Sequence, residues 1–367
     1  MVQDKRVAVL GAGNTGFATA AQLAHQGYQV TLADIPDFAD ALDPVRHDRV
    51  VQLFGVGYQG PATMHRITDD VAMALRDADL LLLIVPAYGH AAWAQAIAPH
   101  IRPEHTLTLM PGTLGALEVV KILREARAPM ISVAETDTAP YVCRKTQPDG
   151  ATIWGIVPSM GLGVFPSSDT ERVHAQLAEL FPGITPVENV LACGLNAMNP
   201  VVHPAGVLLN AGRIEASRGE FYFYDEGVTP GVVSVIEALD AERRTIGKMF
   251  GFDLPDVASA FAEAGFGPPG DLWATINGSR MLTALRAPGS LDTRWLSEDV
   301  PYGLGIWSKL GQVLGVNTPI MNALIQLGLV VLGEPADAIK RRLPDVGLEG
   351  RSLEEILEYV NSGSRPA

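Results

Sequence analysis

Cysteine is nearly missing from this chain. Cys143 and Cys193 are the only two among 367 residues, too few for a disulfide framework and without the spacing of a zinc site. That fits a reducing compartment, and no metal is expected. Basic runs are missing too. With 27 Lys and Arg against 41 Asp and Glu, the net charge is −14 and the pI about 5.0, so no patch offers nucleic-acid phosphates a counter-charge. A small anionic substrate must then find positive charge locally. Long apolar runs are also lacking: the longest, 80–85 and 327–332, fall far short of the roughly 20 residues that span a bilayer. The first six residues pass straight into an apolar strand and a glycine loop, leaving no room for a signal peptide's apolar region. The expectation is a soluble, cytoplasmic protein with no membrane or nucleic-acid partner. We find no internal repeat and no low-complexity segment.

What is present is enough apolar material to fill cores, 47% hydrophobic against 19% charged, on a chain whose length favours two domains. The strand pattern Val7-Ala8-Val9-Leu10 runs into Gly11-Ala12-Gly13-Asn14-Thr15-Gly16, and a helix with a small-residue face follows as far as Gly27. In that strand–loop–helix setting, Gly11 permits the tight turn, Gly13 lets backbone approach a pyrophosphate, and Gly16 lets helix and strand pack closely. Asn14 and Thr15 stand where the helix N-terminus would face the anion. A second strand, 30–33, ends at Asp34, 18 residues beyond Gly16. A carboxylate there accepts hydrogen bonds from both adenosine ribose hydroxyls and repels a 2′-phosphate. Between Asp34 and Pro44 there is no Arg or Lys to welcome that phosphate, so NAD is favoured over NADP.

Strand and helix patterns go on alternating. The run 80–85 reads as a strand buried on both faces and ends at Pro86, in a loop that carries His90. Ligands of parallel sheets gather at strand carboxyl ends, which puts Pro86 near the cofactor and leaves His90 either near the substrate or as a helix-start residue facing water. Further strands are read at 106–110, 130–133 and 152–157. Between the last two lies a polar loop from Glu135 to Arg144, whose single arginine is either a carboxylate clamp or a surface ion-pair partner. A helix over 170–180 completes a doubly wound, Rossmann-type α/β domain, residues 1–185. From 186 the strand patterns stop. Helical patterns at 230–251, 257–264, 272–285, 300–314 and 319–332 make 186–361 an all-helical domain, and 362–367 is expected to fray. The apolar run 322–332 is either core or the face of a homodimer.

One stretch, 195–213, stands apart. Read as a helix, it lines up Asn196, Asn199, His203 and Asn210 as a polar stripe on an otherwise apolar surface. The pattern implies burial nearly all round, with Pro200 and Pro204 freeing backbone carbonyls. Buried amides and an imidazole need partners, so His203 is either a satisfied core histidine or part of a site. Farther on, Arg294 and Asp299 stand five apart in 291–304. Asp299 is open to a second reading as a helix N-cap.

Together these residues resemble the opine dehydrogenase family, which includes octopine and nopaline dehydrogenases and a bacterial enzyme acting on N-carboxyethyl-norvaline. The likeness covers nearly the whole chain. It rests on Gly11 to Gly16, Val85-Pro86-Ala87 with His90, Glu135 to Arg144, Asn199 with His203-Pro204, and Thr293-Arg294 with Glu298-Asp299-Val300. The resemblance implies a Rossmann-type domain joined to a helical one, a cleft between them, and NAD(P)H-dependent condensation of an amino acid with a 2-oxo acid such as pyruvate. It implies that His203 and Asp299 form the catalytic pair and that Arg294 binds a carboxylate. Chemically, a histidine can give and recover the proton needed to lose water from a carbinolamine, while a carboxylate on its other nitrogen fixes the tautomer. Asn199 and Arg144 remain substrate-binding candidates beside Arg294 and His90. Two other readings stay open. One is a 2-oxo acid reductase of the ketopantoate reductase or glycerol-phosphate dehydrogenase type, whose members use a cleft lysine; here the second domain has only Lys248, Lys309 and Lys340. The other is a dinucleotide-binding sensor without turnover.

Overall fold

Short apolar strands followed by amphipathic helices build the first half of the molecule. The structure is a computed structural model that describes residues 5–364. Among them the chain forms two compact units, 5–194 with 360–364, and 195–359. Strands of the first unit, in chain order, are β1 (Arg6–Leu10), β2 (Gln29–Ala33), β3 (Val50–Gly55), β4 (Gly60–Thr63), β5 (Arg66–Thr68), β6 (Leu80–Leu83), β7 (Thr106–Leu109), β8 (Ser132–Thr136), β9 (Tyr141–Gln147), β10 (Gly150–Ile156), β11 (Met160–Phe165) and β12 (Ile184–Pro186). Eight of them form a sheet in the order β12-β11-β8-β7-β6-β1-β2-β5. All its neighbours run parallel except β11, which is antiparallel to β8. β6, β7 and β8 are buried throughout, and in β6 this shows as an unbroken leucine run. Strand order reverses at β1, so the carboxyl ends of β1 and β6 border the switch point where such sheets take ligands.

A second, four-stranded sheet, β4-β3-β10-β9, was largely invisible to the sequence reading, which found only 152–157. Its strands are covered on one side, so half of each is exposed and the apolar signal is weak. It lies on the helix Asn14–His25: Asn14 Oδ1 accepts from the Lys145 amide at 2.9 Å, and His25 stacks on Tyr58. The segment read as a polar loop is therefore two strands, with Glu135 in β8 and Arg144 in β9.

The packing boundary also differs from the expected division at 185/186. Asn189 Oδ1 accepts from the amides of Leu191 and Ala192 at 2.9 and 3.2 Å. The Cys193 thiol donates to the Glu135 carbonyl at 3.2 Å. The first is local, and the second ties this segment to β8 of the first unit, which extends to residue 194. The expected frayed end is anchored where it is described: Ser167 donates to Asn361 Oδ1, Ser362 closes the last helix, and Arg124 donates to the Gly363 carbonyl. Residues 365–367 of that expectation lie outside the described residues.

Among its described residues the second unit has no strand beyond a single bridge between Tyr222 and Arg286. Its longest helix, Pro230–Met249, carries a buried ion pair, Arg243 on Asp240, with Arg243 Nη1 also donating to the Leu195 carbonyl at 3.0 Å. From the same helix Glu242 accepts from the amides of Ile320 and Met321, both at 2.8 Å. That carboxylate serves the free N–H groups and dipole at the start of the helix Pro319–Val331. The expected single helix over 195–213 is broken: Pro200, which has no amide to give, sits in the first turn of a new helix, and Pro204 lies inside that helix. The chain turns at Asn196 and resumes as Asn199–Leu209 and Ala211–Ser217. Burial holds through Val207, while Leu209 is 52% exposed.

The buried carboxylate of Glu135 is the first unit's most consequential polar group. Thr113 and Leu114 both have left-handed backbone, φ +51 and +67°, at a cost of about 1–2 kcal/mol each. Glu135 offsets it by accepting from the Leu114 and Ala116 amides at 2.8 and 2.9 Å, capping the helix Gly115–Glu125. Glu135→Ala should destabilise the protein by about 2–4 kcal/mol, since two buried N–H groups lose their acceptor, and Glu135→Gln by less. An unchanged urea midpoint for Glu135→Ala would show that the cap contributes nothing.

Candidate functional site

The glycine loop fits a dinucleotide on three separate counts. Gly11 has φ +110°, and a Cβ there would sit 2.5 Å from the Ile84 carbonyl oxygen; one on Gly16 would sit 1.9 Å from the Gly11 oxygen. Both glycines are imposed by packing. Gly13 is different: it is exposed, and a Cβ there meets nothing within 4 Å, so its freedom is of use only to something approaching from outside. Behind it the helix Asn14–His25 starts with no side-chain cap and no acidic residue in its first turn, leaving amide N–H groups and the positive end of the dipole for an anion. Thr15 is half-buried beside the Cys143 thiol. Pro86 opens the loop at the carboxyl end of β6.

Asp34 is 6% exposed, with Oδ2 accepting from the Ala12 amide at 2.7 Å and Oδ1 from the Ile35 amide at 2.9 Å. Each oxygen keeps a lone pair for a ribose hydroxyl. Burial pushes this carboxyl above its usual range, partly offset by the two amides and by the charge of Lys145. His90 starts the helix His90–Ile97 but does not face water. It is 1% exposed and packs against Gly115, where an added Cβ would lie 2.3 Å from its Nδ1; it joins two helices of the first unit. Arg144 is exposed on β9 and makes no ion pair among the described residues.

The second unit brings His203 and Asp299 together. His203, on Asn199–Leu209, and Asp299, 96 residues later, meet at 2.8 Å between Nδ1 and Oδ2, with side chains 9% and 10% exposed. Asp299 caps no helix. It opens a wide, π-type turn, Asp299–Leu304, that leads into the helix Gly305–Val313 and contains Pro301; such turns interrupt the ordinary ladder and re-aim side chains. With the carboxylate on Nδ1, the ring's Nε2 faces elsewhere and takes no protein hydrogen bond among the described residues. On the imidazole face lies Trp295, ring centroids 4.4 Å apart and planes 7° from parallel. Phe223 meets Trp295 edge-on at 4.7 Å, and Tyr224, whose phenol burial pushes up, stands near Asp299.

Arg294, one residue before Trp295, is exposed at the start of the short helix Arg294–Ser297. Asn199 is exposed one helical turn before His203. The rest of the expected stripe is dispersed: Asn196 sits in the turn ahead of the helix, and Asn210 donates to the carbonyls of Gly206 and Gly227, both at 2.9 Å. Trp295 and Phe223 were missed in sequence, although Trp295 lies between two residues that were singled out. Its burial against an imidazole is a tertiary fact with no periodic signature.

A glycine-loop βαβ unit followed by a helical unit with a buried histidine–carboxylate pair has the layout of a two-domain dehydrogenase. Residues 186–332 match the family described as NAD/NADP octopine/nopaline dehydrogenase, alpha-helical domain, and 6–122 match the NAD-dependent glycerol-3-phosphate dehydrogenase N-terminus. Opine dehydrogenase from Arthrobacter sp. (strain 1C) is 35% identical over 361 residues, 98% of this chain and 100% of that one. The protein ocs of Agrobacterium tumefaciens (strain Ach5) is 27% identical across 97% of this chain and 99% of its own. Among solved structures, octopine dehydrogenase with NADH and L-arginine shares the fold at a TM-score of 0.75 and 18% identity, covering 99% of both chains. The chain belongs to the opine dehydrogenase family.

Proposed function

We propose that this chain is an NAD(P)H-dependent opine dehydrogenase that reductively condenses an amino acid with a 2-oxo acid, such as pyruvate, to an N-(carboxyalkyl)amino acid, reversibly. The observation that carries this is the buried His203–Asp299 bond, which has the form of a proton-handling pair. Gly11, Gly13 and Gly16, the N-terminal amides at Asn14 and Thr15, Asp34 and Pro86 would hold the nucleotide. When bound, a reduced nicotinamide supplies the hydride.

The remaining work belongs to side chains. Attack of the amine on the oxo acid gives a carbinolamine, and its hydroxyl leaves as water only if a proton reaches it. His203 donates that proton from Nε2, and Asp299 holds Nδ1–H and steadies the imidazolium while it lasts. Trp295 fixes the ring plane and puts an electron-rich face against the cation. Arg294 is the better clamp for the oxo acid's carboxylate, because it shares its short helix with Trp295; its planar fork suits a bidentate grip. Asn199 can take a substrate oxygen. Arg144 has no comparable link to a reacting group within its own unit. The lysine-based alternative finds little support: Lys340 pairs with Glu334 at 3.3 Å, Lys248 is exposed, and Lys309 lines a polar surface recess with Ser308 and Asn322.

A cytoplasmic home is supported by two free cysteines. Among the described residues no helix is long and apolar enough to cross a membrane. A homodimer is supported by Leu327, Val330 and Val331, exposed at 58, 62 and 40% on one helix.

NADH should be oxidised when an amino acid and a 2-oxo acid are both present, and not by the oxo acid alone. Oxidation by the oxo acid alone would favour a simple reductase, and binding without turnover a sensor. Arg294→Leu should raise KM for the oxo acid by roughly 10–100-fold, the scale of a lost charged clamp, while leaving NADH affinity within about twofold. An unchanged KM would remove Arg294 from the site.

A further inference from the structure

The sequence offers no cation in the segment after Asp34, but the fold supplies one from 111 residues farther along. Lys145 belongs to β9, the strand laid across the start of the helix Asn14–His25, and its position is set at three points. Its amide donates to Asn14 Oδ1 at 2.9 Å, and its ammonium donates to the Ala41 carbonyl at 3.2 Å. The same ammonium lies 3.5 Å above the ring of the buried Phe17. Ala41 is part of Pro36–Leu42, the segment that follows Asp34 directly, and the charges of Lys145 and Asp34 act on each other. An ammonium has three N–H groups, and the Ala41 carbonyl takes one. Burial penalises the charge, so an anion brought beside it would be welcomed more strongly than at the open surface.

We propose that Lys145 is a second determinant of nucleotide choice: held on the Ala41 carbonyl of the segment that follows Asp34, it supplies the counter-charge for a 2′-phosphate at the adenosine-ribose end. Asp34 favours the free ribose of NAD, Lys145 offsets its repulsion of a phosphate, and the chain accepts both nucleotides. This rests on the reading of the glycine loop as a dinucleotide site. It also revises what the stretch from Asp34 to Pro44 implies by itself. Asp37 and Asp40 on the same segment oppose a phosphate, but their exposure leaves them more strongly screened than the half-buried Lys145.

The test is calorimetric titration of the full-length protein with NAD⁺ and NADP⁺, without substrates. NADP⁺ should bind the wild type within about tenfold of NAD⁺. Lys145→Ala should weaken NADP⁺ by about tenfold or more, the scale of one charge-assisted bond, and NAD⁺ by less than about twofold, while Lys145→Arg should keep both. Equal weakening of both nucleotides would make Lys145 a mere tether for the small sheet and overturn the proposal. So would unchanged NADP⁺ binding in Lys145→Ala. Should that variant fail to fold, the wild type alone decides: 2′,5′-ADP, which adds only the 2′-phosphate to 5′-AMP, should bind within about tenfold of 5′-AMP at low salt and lose ground to it as ionic strength rises, and a ratio that does not change with salt counts against the role. Absence of NAD⁺ binding by the wild type would instead sink the dinucleotide reading itself.

Discussion

A histidine and an aspartate almost withdrawn from water, 2.8 Å apart, are the constraint around which the helical unit is organised. Either group alone would be costly there; removing one partner of such a buried pair typically costs about 3–5 kcal/mol. The pair forms only if two distant segments deliver their side chains at the right height and angle. The His203 helix starts at Asn199, with Pro200 in its first turn, where the missing amide costs nothing, and Pro204 in its interior. Asp299 arrives on a widened turn that accommodates Pro301. Trp295 and Phe223 then close the imidazole face. Irregular backbone at both ends of the contact thus accompanies one bond, the one that satisfies Nδ1.

The first unit solves a different problem, the close approach of backbone to an anion. Gly11 and Gly16 are required by the fold itself, whereas Gly13 looks outward and is required by whatever the loop meets. The small sheet adds what local sequence lacks. By resting β9 on the first helix it brings Lys145 to the loop after Asp34, so the electrostatics of that end depend on a strand from elsewhere in the chain.

Much of this was legible in the sequence, for identifiable reasons. Buried parallel strands such as 80–83 and glycine loops leave local signatures, and they were read to within a few residues. The resemblance to opine dehydrogenases pointed to His203, Asp299 and Arg294, and the structure puts the first two in contact. What escaped was set by tertiary contacts. β9 is half exposed and reads as polar, so Arg144 and Lys145 were placed in a loop or passed over. His90 looked available but is packed against a glycine that admits it. Asn196 and Asn210 kept the helical spacing while the helix did not, since periodicity counts positions and cannot see the breaks at either end. Trp295 stood in plain view with nothing local to mark it.

The central claim is that His203 and Asp299 act as one proton-transfer unit, and a double-mutant cycle on kcat addresses it directly. His203→Gln and Asp299→Asn should each lower kcat by roughly 10²–10⁴, with NADH affinity nearly unchanged. Together they should cost little more than the worse of the two, because the second change removes a partner from a function already lost. Losses that multiply would show two independent roles and contradict the account.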